Sequence, residues 1–285
     1  MENSYSEISN IYKSAEEFAK NHYENFPVVS LFVPKDLRKH VAIVYWFART
    51  ADDLADEGEI NEELRLHNLE EFEKNFTDSL KGQYSSEYFE ATHQTIRDRH
   101  LTPQLFHDLL KAFKQDVVKK RYSDFEEVLG YCKYSANPVG RLILELFNIR
   151  NNKAFEYSDK ICTALQLTNF YQDTEIDFEK GRIYFPNNEM NEFNVSENIF
   201  AKKENNANLN RLLKHNIDRT QALFDDGKNL LMFLNGRLKF EIKWTILGGE
   251  AILEKIRQND YNIFNSRPQL KKSDFAALFI KSFIS

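Results

Sequence analysis

Two short stretches of this chain carry residues whose types and spacing could do chemistry. The first runs Tyr45-Trp46-Phe47-Ala48-Arg49-Thr50-Ala51-Asp52-Asp53-Leu54-Ala55-Asp56-Glu57. At about 100° per residue, Tyr45, Arg49, Asp52 and Asp56 share one narrow sector of a helix, with Ile43, Phe47, Ala51 and Leu54 opposite. Placing like charges four residues apart costs a helix a few tenths of a kcal/mol per pair. The second stretch runs from Gln166 to Pro186, and in it Gln166, Asn169, Asp173 and Asp177 share a sector, with Leu167, Tyr171 and Phe178 opposite. Amide and carboxylate oxygens in such register are the donors a hard divalent cation takes. Gly181 is placed to end this helix, with Arg182 following the acidic face.

Either stretch alone reads equally well as a solvated acidic helix surface. Together they read differently, because each combines paired carboxylates with a nearby arginine and tyrosine. If the two faces meet across a bundle cavity, their charges repel unless Mg²⁺ lies between them. Magnesium takes one or two protein carboxylates and completes its shell with water or substrate phosphate oxygens. The pattern therefore points to a diphosphate held through Mg²⁺, with the metal stabilising the charge that develops as the diphosphate leaves. A carbocation would remain, for which a dry, aromatic-lined pocket is the natural complement.

The elements that must position these residues are helical. Only 9 Gly and 6 Pro interrupt 285 residues, and apolar residues recur at three-to-four spacing. The spacing predicts helices over 6–22, 36–57, 61–81, 86–99, 103–116, 124–147, 153–179, 208–234, 238–259 and 270–283. Between them, 187–210 is rich in asparagine and weakly periodic, which predicts an irregular surface excursion with about one turn of helix. Pro138 falls inside a helical pattern and should kink or break it. Ser135, Asn137 and Gly140 beside it fit either a cavity-lining kink or a plain structural break.

Composition bounds the rest. The 38 Lys+Arg against 44 Asp+Glu give a formal charge of −6, which argues against a nucleic-acid partner. With 24 Phe and 13 Tyr, the chain has ample material for a large core. The longest apolar run, Val41 to Ala48, falls far short of the roughly 20 residues that span a bilayer. The opening residues lack the basic start and apolar stretch of a secretory signal, and Cys132 and Cys162 form no zinc or disulfide framework. A cytoplasmic, reducing setting is expected. Lys271, Lys272 and Lys281 read as a solvated face or as a contact for anionic lipid at the inner membrane face.

The two acidic stretches resemble those of the squalene/phytoene synthase family, the head-to-head trans-isoprenyl diphosphate synthases. The family's first D-x-x-x-D motif appears as Asp52 to Asp56, and its second, after an Asn, as Asn169, Asp173 and Asp177. Gly181-Arg182-Ile183-Tyr184-Phe185-Pro186 resembles the segment that follows the second motif. Within the family, Phe26-Pro27-Val28, the stretch from Ala48 to Gly58, and Tyr131 to Gly140 resemble the bacterial hydroxysqualene synthase branch of hopanoid biosynthesis. Squalene and dehydrosqualene synthases carry a Lys/Ser-containing segment near the N-terminus, whereas Asn25 to Ser30 here has no lysine.

The resemblance implies an all-α, single-domain helical bundle over 1–285 with a central cavity. It implies Mg²⁺ held by Asp52, Asp56, Asp173 and Asp177 with Asn169 assisting. Arg49, Asn169, Arg182, Tyr184 and Arg267 would bind the substrate, and Tyr45, Tyr131 and Gln166 would line the reacting end. The implied reaction is ionisation of presqualene diphosphate, cation rearrangement and capture by water. Implied partners are the prenyl diphosphate, upstream and downstream squalene-pathway enzymes, and a membrane surface approached peripherally. A sister activity condensing two prenyl diphosphates is the first alternative, and a non-catalytic assembly protein is the second. The second should have lost acids from the motifs, and all four are present.

Overall fold

The computed structural model describes residues 2–21, 33–264 and 267–284, and every regular element among them is helical. The predicted segments Phe26–Val28 and Asn25–Ser30 lie outside the described residues, as do the side chains of Lys272 and Lys281. The chain divides into two compact units, one formed by the residues up to Val118 with Pro138–Asn151, the other by Lys119–Asn137 with the residues from Asn152 onward.

The first unit contains α1 (Glu2–Asn21), α2 (Lys35–Asp56), α3 (Glu62–Ser79), α4 (Glu87–Arg99) and α5 (Pro103–Val118). All but the first residue of α7 (Asn137–Leu146) also belongs to it. Helix α2 is its centre and packs against α1, α3, α4 and α5. The apolar face of α2 is what buries it. Ile43, Phe47 and Ala51 are fully buried, and Phe47 meets Phe106 edge-on at 5.0 Å and Phe76 at 4.9 Å between ring centroids. Edge-to-face pairs of this kind add about 0.5–1.5 kcal/mol each beyond the area they bury. A smaller cluster joins α1 to α2 through Tyr12, Ala15, Ala42 and Ile43. Beside it, the Tyr12 hydroxyl and His40 Nδ1 both meet the Thr95 hydroxyl at 3.0 Å.

The second unit contains α6 (Phe125–Ser135), α8 (Asn152–Gln172), α9 (Thr174–Glu179), α10 (Asn187–Glu192), α11 (Glu197–Ala201), α12 (Ala207–Gly227), α13 (Gly236–Gln258) and α14 (Lys272–Ile284). Helices α8 and α12 form its most extensive pairing, with α6 and α13 also on α8. Their approach is close enough to require glycine at 227, where a Cβ would lie 2.7 Å from Ile161 Cγ1 and 3.2 Å from its backbone nitrogen. A buried polar network ties the same helices. Arg219 of α12 grips Glu189 of α10 through two bonds, 2.6 and 3.1 Å. Asn216 donates to Glu189 at 3.1 Å, and Tyr171 of α8 donates to Asn216 at 3.3 Å. The Arg219 guanidinium also lies 3.2 Å from the centroid of the Phe125 ring on α6, a cation–π contact.

Four boundaries differ from the sequence reading. The predicted helix over 124–147 is two helices meeting at Ala136, with Pro138 in the first turn of α7, where no backbone donor is needed. Asn137 at this junction accepts a hydrogen bond from Thr163 at 3.0 Å. The predicted helix over 153–179 is interrupted at Asp173. The helix expected over 208–234 ends in a 3₁₀ segment, Lys228–Met232. The asparagine-rich excursion forms two short helices, α10 and α11, anchored by buried Met190, Val195, Ile199 and Phe200.

Candidate functional site

In the first unit the acidic face lies on the last two turns of α2. Ile43, Phe47 and Ala51 bury the opposite face, so Tyr45, Arg49, Asp52 and Asp56 are left half-buried, the Asp52 side chain being 45% exposed. Arg49 is the organiser. Its Nε meets Asp53 Oδ1 at 2.8 Å, its Nη2 donates to Glu57 Oε1 at 2.8 Å, and its Nη1 lies 3.5 Å from Asp52 Oδ2. Burial works against the Arg49 charge, but Asp53, then Asp52 and Glu57, outweigh it and hold its pKa above the ordinary arginine value. Tyr45 packs tilted against Phe18, 6.2 Å between centroids.

Asp53 and Glu57 both hold Arg49, which places that arginine over the face. Arg65 was missed altogether. From the first turn of α3 it donates to the carbonyls of Ala55 (2.9 Å), Glu57 (2.9 Å) and Gly58 (2.7 Å), closing the end of α2.

In the second unit the acidic face crosses the break between α8 and α9. The Thr174 hydroxyl donates to the carbonyls of Phe170 at 2.8 Å and Tyr171 at 3.2 Å. Hydroxyl bonding of this kind bends helices. The main-chain ladder nevertheless passes through, with Asp173 N–H donating to Asn169 and Asp177 N–H to Asp173, both at 2.8 Å. Asn169, Asp173 and Asp177 therefore keep their common register. Asn169 is exposed, while Gln166, Asp173 and Asp177 are half-buried.

Helix α9 ends as expected. Gly181 has φ +77°, its N–H donates to Phe178, and the Arg182 N–H donates to Asp177, both at 2.8 Å. This is the paired closure in which a left-handed glycine follows the last helical turn. Arg182 is buried immediately beyond it.

Arg267 is brought 94 residues back along the chain onto Asp173 as a two-pronged clamp, with Nη2 donating to Oδ2 at 3.1 Å and Nε to Oδ1. The neighbouring Gln172 amide donates to the Pro268 carbonyl, which fastens the same segment. Tyr184 stacks on Phe170 at 3.6 Å and 5°, and Tyr131 lies 5.9 Å from each ring. Tyr122, not singled out by the sequence, stacks with Tyr184 at 5.7 Å and extends this aromatic wall. Phe170 belongs to the wall, whereas Phe147 packs on the core of the first unit. Burial pushes the Cys132 thiol up to about 12, in keeping with a small apolar side chain, while Cys162 is half-buried.

Among the described residues, no three His, Cys, Asp or Glu side chains gather into a ready-made metal cluster. On each face, taken by itself, the half-exposed carboxylates are donors of the kind a hard cation takes when it completes its shell with phosphate and water.

These features belong to the all-helical isoprenoid-synthase fold. The structure matches the crystal structure of a squalene synthase, HpnC, from Alicyclobacillus acidocaldarius with a TM-score of 0.85 and 37% identity, covering 91% of this chain and 97% of that one. The chain belongs to the squalene/phytoene synthase family, whose model matches residues 19–274, and it is a synthase of this prenyl-diphosphate-using class. It is 30% identical to the hydroxysqualene synthase of Rhodopseudomonas palustris, over 88% of this chain and 85% of the relative. It is 26% identical to the 15-cis-phytoene synthase of Synechocystis, over 91% and 80% respectively.

Proposed function

We propose that this chain is a hydroxysqualene synthase acting in hopanoid biosynthesis, with presqualene diphosphate as substrate and Mg²⁺ as cofactor. The observation that carries the reading is the pair of intact acidic faces, each held by an arginine, in a chain similar to hydroxysqualene synthases over most of its length. The family model runs through both compact units, which supports reading the whole chain as one functional domain.

In this account Asp52 and Asp56 on α2, Asp173 at the start of α9 and Asp177 within it hold the metal, with Asn169 assisting. Bound there, Mg²⁺ would supply positive charge to the departing diphosphate. The chain's own residues do the rest. Arg49, Arg182 and Arg267 bind the diphosphate oxygens, and Tyr184 adds a hydroxyl. Arg267 exchanges its carboxylate partner for phosphate as substrate enters. The C–O bond breaks with its electron pair leaving on diphosphate, and the cyclopropylcarbinyl cation rearranges. The clustered rings of Tyr131, Phe170 and Tyr184 would help to keep water from a cation, and Tyr45 and Gln166 line the reacting end. Water then adds through oxygen and releases a proton, so no reductant is consumed.

No helix among the described residues is long and apolar enough to cross a membrane. A cytoplasmic enzyme touching the membrane peripherally, and exchanging its long-chain substrate and apolar product with neighbouring pathway enzymes, fits this reading.

The phytoene synthase relative supports a second reading, condensation of two prenyl diphosphates. Parallel incubations with presqualene diphosphate and with farnesyl diphosphate, both with Mg²⁺ and without NADPH, separate the two. Hydroxysqualene from the first and no product from the second is the expected result. A condensation product from farnesyl diphosphate would establish the alternative.

A further inference from the structure

We infer that Arg65 is a positioning residue for the first acidic face, acting through the backbone of α2 on the metal-binding competence of Asp52 and Asp56. The inference rests on the metal-diphosphate reading above and adds to it a residue outside both motifs.

Helix α2 ends where its acids are densest. Asp52, Asp53 and Asp56 lie within its last turn and a half and Glu57 caps it, where the terminal carbonyls already form the negative pole of the helix. Backbone and side chains thus place negative charge at the same end of the helix. The chain turns away at once, with Glu57 extended and Gly58 at φ +81°, and residues 57–60 are exposed. A glycine turn followed by water would ordinarily suffice to finish such a helix.

Here one guanidinium spans the carbonyls of Ala55, Glu57 and Gly58 at 2.7–2.9 Å. These carbonyls flank Asp56 on both sides. Arg65 also sits in the first turn of α3, where a cation opposes the dipole of its own helix. Its placement is therefore explained by what it does for α2 rather than for α3. Arg49 holds the side chains of Asp53 and Glu57, and Arg65 holds the backbone that carries Asp56 and Glu57. Without it, the last turn frays, and the carboxylates and Arg49 lose their common frame.

Two effects of removing Arg65 have opposite signs, and this makes the inference testable. Loss of its positive charge alone would tighten cation binding to the neighbouring acids. Loss of the frame would weaken it. The frame is the larger effect in this account. For Arg65→Ala, calorimetric titration of the full-length protein with Mg²⁺ in the presence of inorganic diphosphate should show about tenfold weaker binding, the lower end of the range for supports of metal ligands. Arg65→Lys keeps the charge, but its single ammonium cannot bridge three carbonyls, and it should weaken binding by about threefold on the same scale.

In turnover assays both variants should need more Mg²⁺ for half-maximal rate, with a smaller change in the rate at saturating metal. Circular dichroism establishes that each variant is folded. Should Arg65→Ala fail to fold, Arg65→Lys decides the matter. Unchanged or tighter Mg²⁺ binding in the folded variants would overturn the inference and leave Arg65 a plain helix stop. Absence of Mg²⁺-diphosphate binding in the unaltered protein would instead overturn the reading on which it rests.

Discussion

The two acidic faces reach similar arrangements by different routes. On α2 the acids and their arginine belong to one uninterrupted helix, and Arg49 finds its partners three, four and eight residues away. Across α8 and α9 the acids straddle a break, and the arginine on Asp173 arrives from 94 residues along the chain. The first face forms when its helix forms. The second has its acids in register through the local ladder but gains its arginine only once the far end of the chain has returned. The difference teaches that the arginine of one face is supplied by local sequence and that of the other by tertiary structure.

If both faces serve one ionisation, they should be equally indispensable despite this difference. Asp52→Asn and Asp173→Asn are each expected to lower turnover at least a hundredfold, with far-ultraviolet circular dichroism unchanged. Near-normal rates in either variant would detach that face from the reaction.

The scaffolds beneath the faces should differ more than the faces themselves. The second unit depends on a nearly buried ion pair, and removing one partner of such a pair costs about 3–5 kcal/mol. Arg219 retains some exposure beside Glu189, so Glu189→Gln should cost about 3 kcal/mol, the lower end of that range, read as a lowered urea midpoint. A midpoint shift too small to measure would show that the network of Tyr171, Asn216 and Arg219 does not hold α8.

A further effect is expected in the first unit and depends on pH. Burial drives His40 down to about 4 from an ordinary 6.5. Between these values the unfolded chain binds a proton that the folded chain refuses. The stability contributed by neutral His40 is therefore complete above pH 6.5 and is lost as pH falls towards 4. Melting temperature should decline over that window, and His40→Gln should flatten the decline. An equal decline in the variant would assign it to other groups.

How much of this was legible in the sequence follows the same local-versus-distant division. The helix carrying Asp52 and Asp56 was readable to within a residue or two, because its apolar face repeats with the helical period through Ile43, Phe47, Ala51 and the partly buried Leu54. Gly181 announced the end of α9 because a left-handed turn needs it. The break at Asp173 was hidden, since it depends on where the Thr174 hydroxyl turns, and Thr174 reads as an ordinary helical residue. The helices α10 and α11 were obscured because each is barely more than one turn, too short to show a period, and is held by buried Met190, Ile199 and Phe200. Glu189 gave no sign that it would be buried, because Arg219 lies 30 residues away. Arg65 offered one usable clue, a cation in a helix's first turn, where the dipole disfavours it.

The most direct test of the central claim is the metal dependence of one reaction. Presqualene diphosphate is incubated with the protein without NADPH, first with Mg²⁺, then with excess EDTA, then with Mg²⁺ restored. The account predicts hydroxysqualene in the first and third incubations and none in the second. Hydroxysqualene formed undiminished in EDTA, or no hydroxysqualene under any of the three conditions, would contradict it.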